Sequence, residues 1–209
     1  MIKLEKIIGI TALVGLILKY LLLISGVGIF ITLSLVILAD LYFLFGVALF
    51  NQIEFKQILK SDSYKEINKE QIIGSIGVGI ALSMIFVGAL FKLNHWPDSM
   101  VLLIIGTFIS LVAAIVFIIK HFKTKENYYI RVLKRIAIIG TFGLILMCIS
   151  NLTIARIQLR NNVDYMKAYE EYQKDPKNME LRKKMNLEYY KATVSKEEYE
   201  LYLEQIKNQ

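Results

Sequence analysis

Phe86-Val-Gly-Ala-Leu-Phe-Lys92-Leu-Asn-His95-Trp96-Pro97-Asp98-Ser99 is the stretch that decides how the chain reads. One long apolar run ends in it and another begins at Met100. Proline cannot continue a helix and pushes its predecessor out of α geometry. Tryptophan and histidine suit the headgroup zone, and Lys92, just before the turn, can lie along its helix and reach water. Two membrane-spanning helices joined by a turn at the bilayer surface account for every residue.

Working outward, the chain has 209 residues, 56% of them hydrophobic, against about 45–50% in a soluble domain. The excess lies in five blocks nearly free of charge: 7–24, 29–50, 71–91, 100–119 and 136–155. Each has the roughly 20 residues that about 30 Å of hydrocarbon requires. The first block has a basic start like a secretion signal, but no small-x-small cleavage site follows and Lys19 interrupts it late, so it reads as a retained helix. Ser25-Gly26-Val27-Gly28 is a charge-free turn into the second. The polar segment 52–70 reads as a short surface helix, with Glu66/Glu70 and Lys65/Lys69 on neighbouring faces. The expected fold is all-α: five transmembrane helices over 1–156, arranged as hairpin, hairpin and single helix, then a small helical soluble tail over 157–209.

The net charge of +7 does not point to nucleic acid. From Asp164 onward there are ten acids and nine bases, so the surplus sits in short loops beside apolar spans, the pattern of orientation signals. With the N-terminus inside, the inner segments collect Lys3 and Lys6, then Lys56, Lys60, Lys65 and Lys69, then Lys120, Lys123, Lys125, Arg131, Lys134 and Arg135. That predicts a cytoplasmic N-terminus and a tail outside the cell membrane, although Arg156 and Arg160 would then be exported. The single cysteine, Cys148, precludes an intrachain disulfide.

The tail reads as two or three helices. Leu159, Val163, Met166 and Tyr169 form one apolar stripe, and Leu181, Met185 and Tyr189 another. Asp175-Pro176-Lys177-Asn178 is a turn between them. Ser195 with Glu198 is a capping box opening a last helix, with Tyr199, Tyr202, Leu203 and Ile206 on one face. Seven tyrosines lie between Tyr165 and Tyr202. They supply either the core of a helical mini-domain or, through Tyr169, Tyr172, Tyr189, Tyr190, Tyr199 and Tyr202, a docking surface for a protein partner.

Val14-Gly15-x-x-x-Lys19 and Val87-Gly88-x-x-x-Lys92 match, each before a turn into another span, as a duplicated hairpin would. Continuing that register pairs Ile31 with Ile104, Leu38 with Leu111 and Asp40 with Ala113.

The Gly-Ala-Leu-Phe-Lys92-Leu-Asn-His95-Trp96-Pro97 segment resembles the signature hairpin of GldL/PorL. Members of that family are inner-membrane, proton-driven motor subunits of gliding motility and type IX secretion. The resemblance covers about a fifth of the chain. It implies that Lys92, His95, Trp96 and Pro97 lie at the periplasmic end of the hairpin. The chain departs from the family in carrying Asp98 where glycine follows the proline. It also lacks the acid that the family keeps midway along the next helix, where Ala113 and Ala114 stand.

Asp40 is the residue most open to a chemical role, because an acid near mid-bilayer usually faces a partner or water. It reads either as a proton- or ion-coupling group, with Lys19 the candidate partner, or as a protonated or paired structural acid within the bundle. The two differ by about 13 Å in depth at helical rise. Lys92, His95 and Asp98 could form a polar cluster above Trp96, but that is too few ligands for a structural metal. No metal, cofactor or enzyme signature is found. Small residues recur every fourth position, as Ser75, Gly79 and Ser83 and as Gly106, Ser110 and Ala114, which predicts that spans three and four pack along them or against another subunit. The leading functional expectation is a non-enzymatic subunit of a cell-envelope complex that docks through its tail. The alternative is a small proton- or ion-coupled transporter or channel using Asp40.

Overall fold

The computed structural model describes residues 1–20, 26–159 and 162–207, and the described residues are helical or in turns, with no strand among them. They fall into two compact units, Met1–Ile149 and Ser150–Gln209. The end of the first predicted span (21–24), Ser25 of its turn, Arg160 and the side chain of Ile206 lie outside what is described.

The first unit holds α1 (Ile2–Tyr20), α2 (Gly28–Phe50), α3 (Lys69–Leu93), α4 (Ser99–Thr124) and α5 (Asn127–Cys148). α3 is central and packs against α2, α4 and α5, while α1 packs on α2. The surface of this unit is apolar: Ile10, Phe30, Phe108, Ile115 and Ile138 are all exposed. Water would not tolerate so continuous a greasy coat, whereas lipid is indifferent to it. By length and composition α2, α3 and α4 are able to cross a membrane, and α5 joined with the next helix brings the number to at most four. The chain is therefore a helical membrane protein. The expected fifth crossing is α1, whose described part carries Lys3, Glu5, Lys6 and Lys19.

Sequence and structure differ at three places here. Segment 52–70 forms two short 3-10 turns, Phe55–Gln57 and Ser61–Tyr64, in place of a surface helix, with Lys65 paired to Asp62 at 2.6 Å and residues 69–70 already part of α3. With no apolar stripe to bury, so short a polar segment cannot offset the cost of nucleating a helix. The fourth helix runs on to Thr124, because Lys120, His121 and Lys123 suit the negative end of a helix dipole. The fifth starts at Asn127, well before 136, and stops at Cys148, before 155. It begins early because Tyr128, Tyr129 and Val132 are buried against the other helices. It stops because Ile149 and Ser150 are extended and the Ser150 hydroxyl accepts the Thr153 N–H at 3.0 Å, capping a new helix.

The second unit holds α6 (Asn151–Gln158), α7 (Val163–Lys174), α8 (Met179–Thr193) and α9 (Lys196–Lys207). Asn162 caps α7, accepting the Tyr165 N–H at 3.0 Å, and Asn178 caps α8, accepting from Glu180 and Leu181. The 175–178 segment turns between those helices as its Asp-Pro-Lys-Asn sequence requires.

Candidate functional site

Three helices of the first unit bring polar side chains into its interior. The Glu5 carboxylate, in the first turn of α1, accepts Nε and Nη2 of Arg135 of α5 at 2.8 and 2.7 Å, a bidentate pair. The Tyr42 hydroxyl of α2 donates to the same carboxylate. Tyr42 is 1% exposed, and the side chains of Glu5 and Arg135 are 14% exposed each. The guanidinium also lies over the Phe50 ring, 5.7 Å from its centre. Arg131 Nε, one turn earlier, donates to the Phe50 carbonyl at 3.4 Å. Tyr42 precedes the end of α2, and Arg135 follows the start of α5, by the same eight residues. At helical rise that is about 12 Å, which brings them to one level.

At the Phe50 end of α2 and the Asn127 end of α5 a second polar network links those two helices through α3. The Tyr128 hydroxyl donates its one proton to the Gln71 carbonyl at 2.9 Å. The Ser75 hydroxyl, 2.9 Å away, therefore donates to Tyr128 and accepts from the Asn51 amide at 3.3 Å. The Gln71 side-chain amide donates to the Glu126 carboxylate. Lys120 of α4 pairs with Glu70 of α3 at 2.6 Å. Together these bonds hold the ends of α2, α3, α4 and α5 in one register.

None of the Glu5, Tyr42 and Arg135 cluster was singled out by residue pattern. Two signals were present: Glu5 is the only acid before Asp40, and Arg135 immediately precedes a predicted span. Their spacing along the chain carries no hint of contact.

Asp40 is not in this interior. It lies on the exposed face of α2, amid exposed Val36, Ile37, Phe43 and Leu44, and pairs with no side chain among the described residues. Lys19 is placed elsewhere, with its ammonium 5.6 Å from the Tyr20 ring centre. The reading of Asp40 as an acid paired within the bundle is thus corrected, because α2 packs one face on α1 and α3 and Asp40 lies on the other. A carboxylate left at mid-bilayer costs about 2.5–3.5 kcal/mol.

At the other end of the bundle the 86–99 stretch turns as expected, with its details changed. Lys92 is 3% exposed and does not reach water, because the last turn of α3 is enclosed by its neighbours. Lys92 and Asp98 form no ion pair. Trp96 stands edge-on to Phe91, ring centres 5.2 Å apart. His95 (φ 57) and Asp98 (φ 60) take left-handed backbone, which places Asp98 where glycine is the natural residue. Asp is among the few side chains that tolerate that conformation. Asp98→Gly is therefore expected to fold at least as stably as the native chain, and Asp98→Val to lose about 1–2 kcal/mol, both read by thermal unfolding in detergent.

The small residues do pack helices closely, the α4 stripe on α3 as expected and the α3 stripe on another neighbour. A Cβ on Gly79 of α3 would stand 2.6 Å from the Tyr42 carbonyl oxygen of α2. Gly46 of α2 lies as close to α3, where a Cβ would meet Gly79 Cα at 3.2 Å and the Ser75 carbonyl at 3.3 Å. The Ser75 and Gly79 stripe thus faces α2, not α4. Gly106 of α4 meets α3, where its Cβ would be 2.7 Å from the Ala81 carbonyl oxygen. Ser110 is buried facing Gly140 of α5, while Ala114 is half-buried and Ser83 is buried. The two Val-Gly-x-x-x-Lys motifs behave alike at their glycines: a Cβ on Gly15 would meet Ile31, and one on Gly88 would meet Leu103, each at 2.9 Å. Beyond that the halves diverge. Ile31 and Leu38 are buried and their counterparts Ile104 and Leu111 exposed, because α4 lies on the outside of the unit.

In the second unit the tyrosines divide. Tyr165 and Tyr169 are buried and Tyr189 stands 5.7 Å from Tyr165, ring centre to ring centre, so these three make the core. Tyr190 and Tyr202 stack at 4.0 Å, with Tyr190 exposed. Tyr172 and Tyr199 are half-buried. Burial raises the pKa of Tyr165, Tyr169 and Tyr189. The capping box is present: Glu198 Oε2 accepts from Ser195 N–H at 3.0 Å and Ser195 Oγ–H at 2.9 Å, and Glu198 N–H donates to Ser195 Oγ at 3.3 Å. Hydrogen bonding to Ser195 holds the Glu198 carboxyl below the usual range, and the Lys184 ammonium does the same for Glu171. A carboxyl depressed in the folded state contributes above its unfolded pKa, about 4.3, and that contribution is lost as pH falls through the lower folded value. Protection of the amides of α8 and α9 against hydrogen exchange is expected to fall on acidification through that window, and less so in Glu198→Ala, where the Glu198 share is already gone.

Residues 77–137 match the family profile of the GldL N-terminal domain. The match runs from within α3 through α4 into α5, so it contains the 86–99 hairpin and Arg135 alike. No curated protein and no solved structure matches the chain.

Proposed function

We propose that this chain is a non-enzymatic inner-membrane subunit of a cell-envelope complex related to the gliding and type IX secretion machinery. The observation that carries the reading is the GldL N-terminal match over 77–137, which covers the very hairpin whose turn chemistry marks a bilayer surface. The charge placement supports a cytoplasmic N-terminus and a periplasmic second unit. The bundle is the anchor: its interior is occupied by packing and by bonds that lock helices to one another. Partner docking falls to the second unit, where Tyr172, Tyr190 and Tyr199 keep part of their rings accessible. The transport alternative draws less support, because Asp40 lies on the apolar outside of its helix and away from any polar route through the bundle.

Affinity purification of the tagged full-length chain from its own membranes is expected to bring down an envelope protein, which is lost when the chain ends at Ile149. A reporter active only outside the cytoplasm, fused after the last residue, is expected to be on. Retention of the partner by the shortened chain would move docking into the bundle. A silent periplasmic reporter with an active cytoplasmic one would reverse the sidedness.

A further inference from the structure

Past Phe50 the chain does not rise away from the bundle. Gln52 takes left-handed backbone (φ 61), and the Ile53 N–H donates to the Ala48 carbonyl at 2.9 Å, so the connector doubles back along α2. Ile53 is buried, and the Phe55 ring stands 6.4 Å from that of Phe45, centre to centre. Phe45 precedes the end of α2 by five residues, about 7 Å at helical rise. Phe55 therefore lies on the hydrocarbon side of the helix end. Leu59 follows in the next turn, where the Lys60 N–H donates to the Gln57 carbonyl at 3.0 Å, and it is 98% exposed. The Tyr64 hydroxyl donates to the Ile58 carbonyl at 2.9 Å and pins that turn from its far side.

A connector bound for water has no cause to be tied back toward the bilayer with its apolar side chains outward. The end of α4, at the same end of the bundle, is built alike: Phe122 is 77% exposed and is followed by exposed Lys123 and Lys125. The Lys120 and Glu70 pair ties this end of α4 to the start of α3. Lys65 is answered by Asp62 and Lys120 by Glu70. That leaves Lys56, Lys60, Lys69, Lys123 and Lys125, all exposed, against Glu54, Glu66 and Glu126. The surplus is cationic, and it stands beside apolar side chains held at membrane depth. The 94–98 turn, at the opposite end, exposes Trp96 but carries no lysine or arginine. A phospholipid with a net negative headgroup matches the first end on both counts, its chain meeting the apolar side chains and its phosphate the ammonium groups. A zwitterionic headgroup brings a cation of its own, which competes for that phosphate.

We propose that this end of the bundle gathers anionic phospholipid from the surrounding bilayer, with Leu59 and Phe122 entering the edge of the hydrocarbon and Lys56, Lys60, Lys123 and Lys125 holding the headgroups. The lipid site rests on the bilayer reading of the first unit and is independent of the envelope-complex assignment.

The full chain is reconstituted in phosphatidylcholine vesicles with one lipid in five phosphatidylglycerol, and tryptophan emission is read at two places. Leu59→Trp with Trp96→Phe reports the proposed site, and native Trp96 reports the opposite end. Bromine near the headgroup end of the acyl chain quenches a neighbouring indole, and it is placed either on the phosphatidylglycerol or on an equal amount of phosphatidylcholine. At Leu59→Trp the brominated anionic lipid is expected to quench at least about twofold more than the zwitterionic one, whereas at Trp96 the two are expected to act equally. Adding Lys56→Gln and Lys60→Gln should cut that preference, and so should raising the salt with every lysine in place, since headgroup-level charges are screened. Equal quenching by the two lipids at Leu59→Trp, or quenching by neither, would overturn the proposal. So would a preference that survives both the lysine changes and high salt. A native Trp96 left bright by both lipids would overturn the bilayer placement and the lipid site with it, so the two failures are told apart. The salt comparison alters no residue and decides the part played by charge even where the lysine variant misfolds.

Discussion

Arg135→Leu is expected to destabilise the membrane unit by about 3–5 kcal/mol, because it strands the Glu5 carboxylate in a site where its side chain is 14% exposed. The penalty belongs to the orphaned charge more than to the lost attraction. Glu5→Leu should therefore be about as damaging, since it strands Arg135. The double variant Glu5→Leu with Arg135→Leu should recover most of the loss, because two well-packed apolar side chains replace a buried ion pair at little cost. Tyr42→Phe removes one donor from a carboxylate that keeps its arginine, and about 1 kcal/mol is expected. Reversible unfolding of the four variants in mixed micelles of mild detergent and dodecyl sulfate gives the cycle directly. If the double variant loses as much as the two single variants added together, the residues are acting separately, and the account of a three-helix lock fails.

The second large effect falls on a pair of glycines two residues apart. Gly79→Ala sets a methyl group 2.6 Å from the Tyr42 carbonyl oxygen, which belongs to the backbone of α2 and cannot swing aside. α2 and α3 must separate, and overpacking of this kind costs about 1–3 kcal/mol. Gly77→Ala meets nothing within 4 Å. It should be neutral or gain up to about 1 kcal/mol, since alanine is the better helix former. The same micelle assay should thus give opposite signs for two chemically identical changes. Equal behaviour at 77 and 79 would mean that α3 does not lie against α2 through this face.

Much of this could be read from residue order, for a physical reason. Hydrocarbon accepts only long uncharged helices, so runs such as 71–91 and 100–119 announce themselves, and Pro97 with Trp96 marks where they turn. Local chemistry was equally legible where partners are three or four residues apart: the Ser195 and Glu198 box and the 175–178 turn are both present. Spacing also found the small residues, although it assigned Gly79 to the wrong neighbour, because a stripe says how near another helix comes and not which helix it is. The end of α5 was misread for a related reason. Hydropathy continues past Cys148, and only the Ser150 cap on Thr153 shows that the helix does not.

Residue order, then, determined the solvent, the course of α2 and α3 and the start of α4, and the hairpin through which the chain resembles the GldL N-terminal domain. Tertiary structure alone decided which charges are inside. Glu5 and Arg135 are 130 residues apart and meet only because α1, α2 and α5 converge at one level. Asp40, the acid that looks interior on a hydropathy trace, was turned outward by the rotation of α2 against α1 and α3. A hydrophobic run sets how deep a residue lies in the bilayer, but the angle at which its helix packs sets whether it faces protein or lipid, and that angle is a property of neighbours distant in the chain.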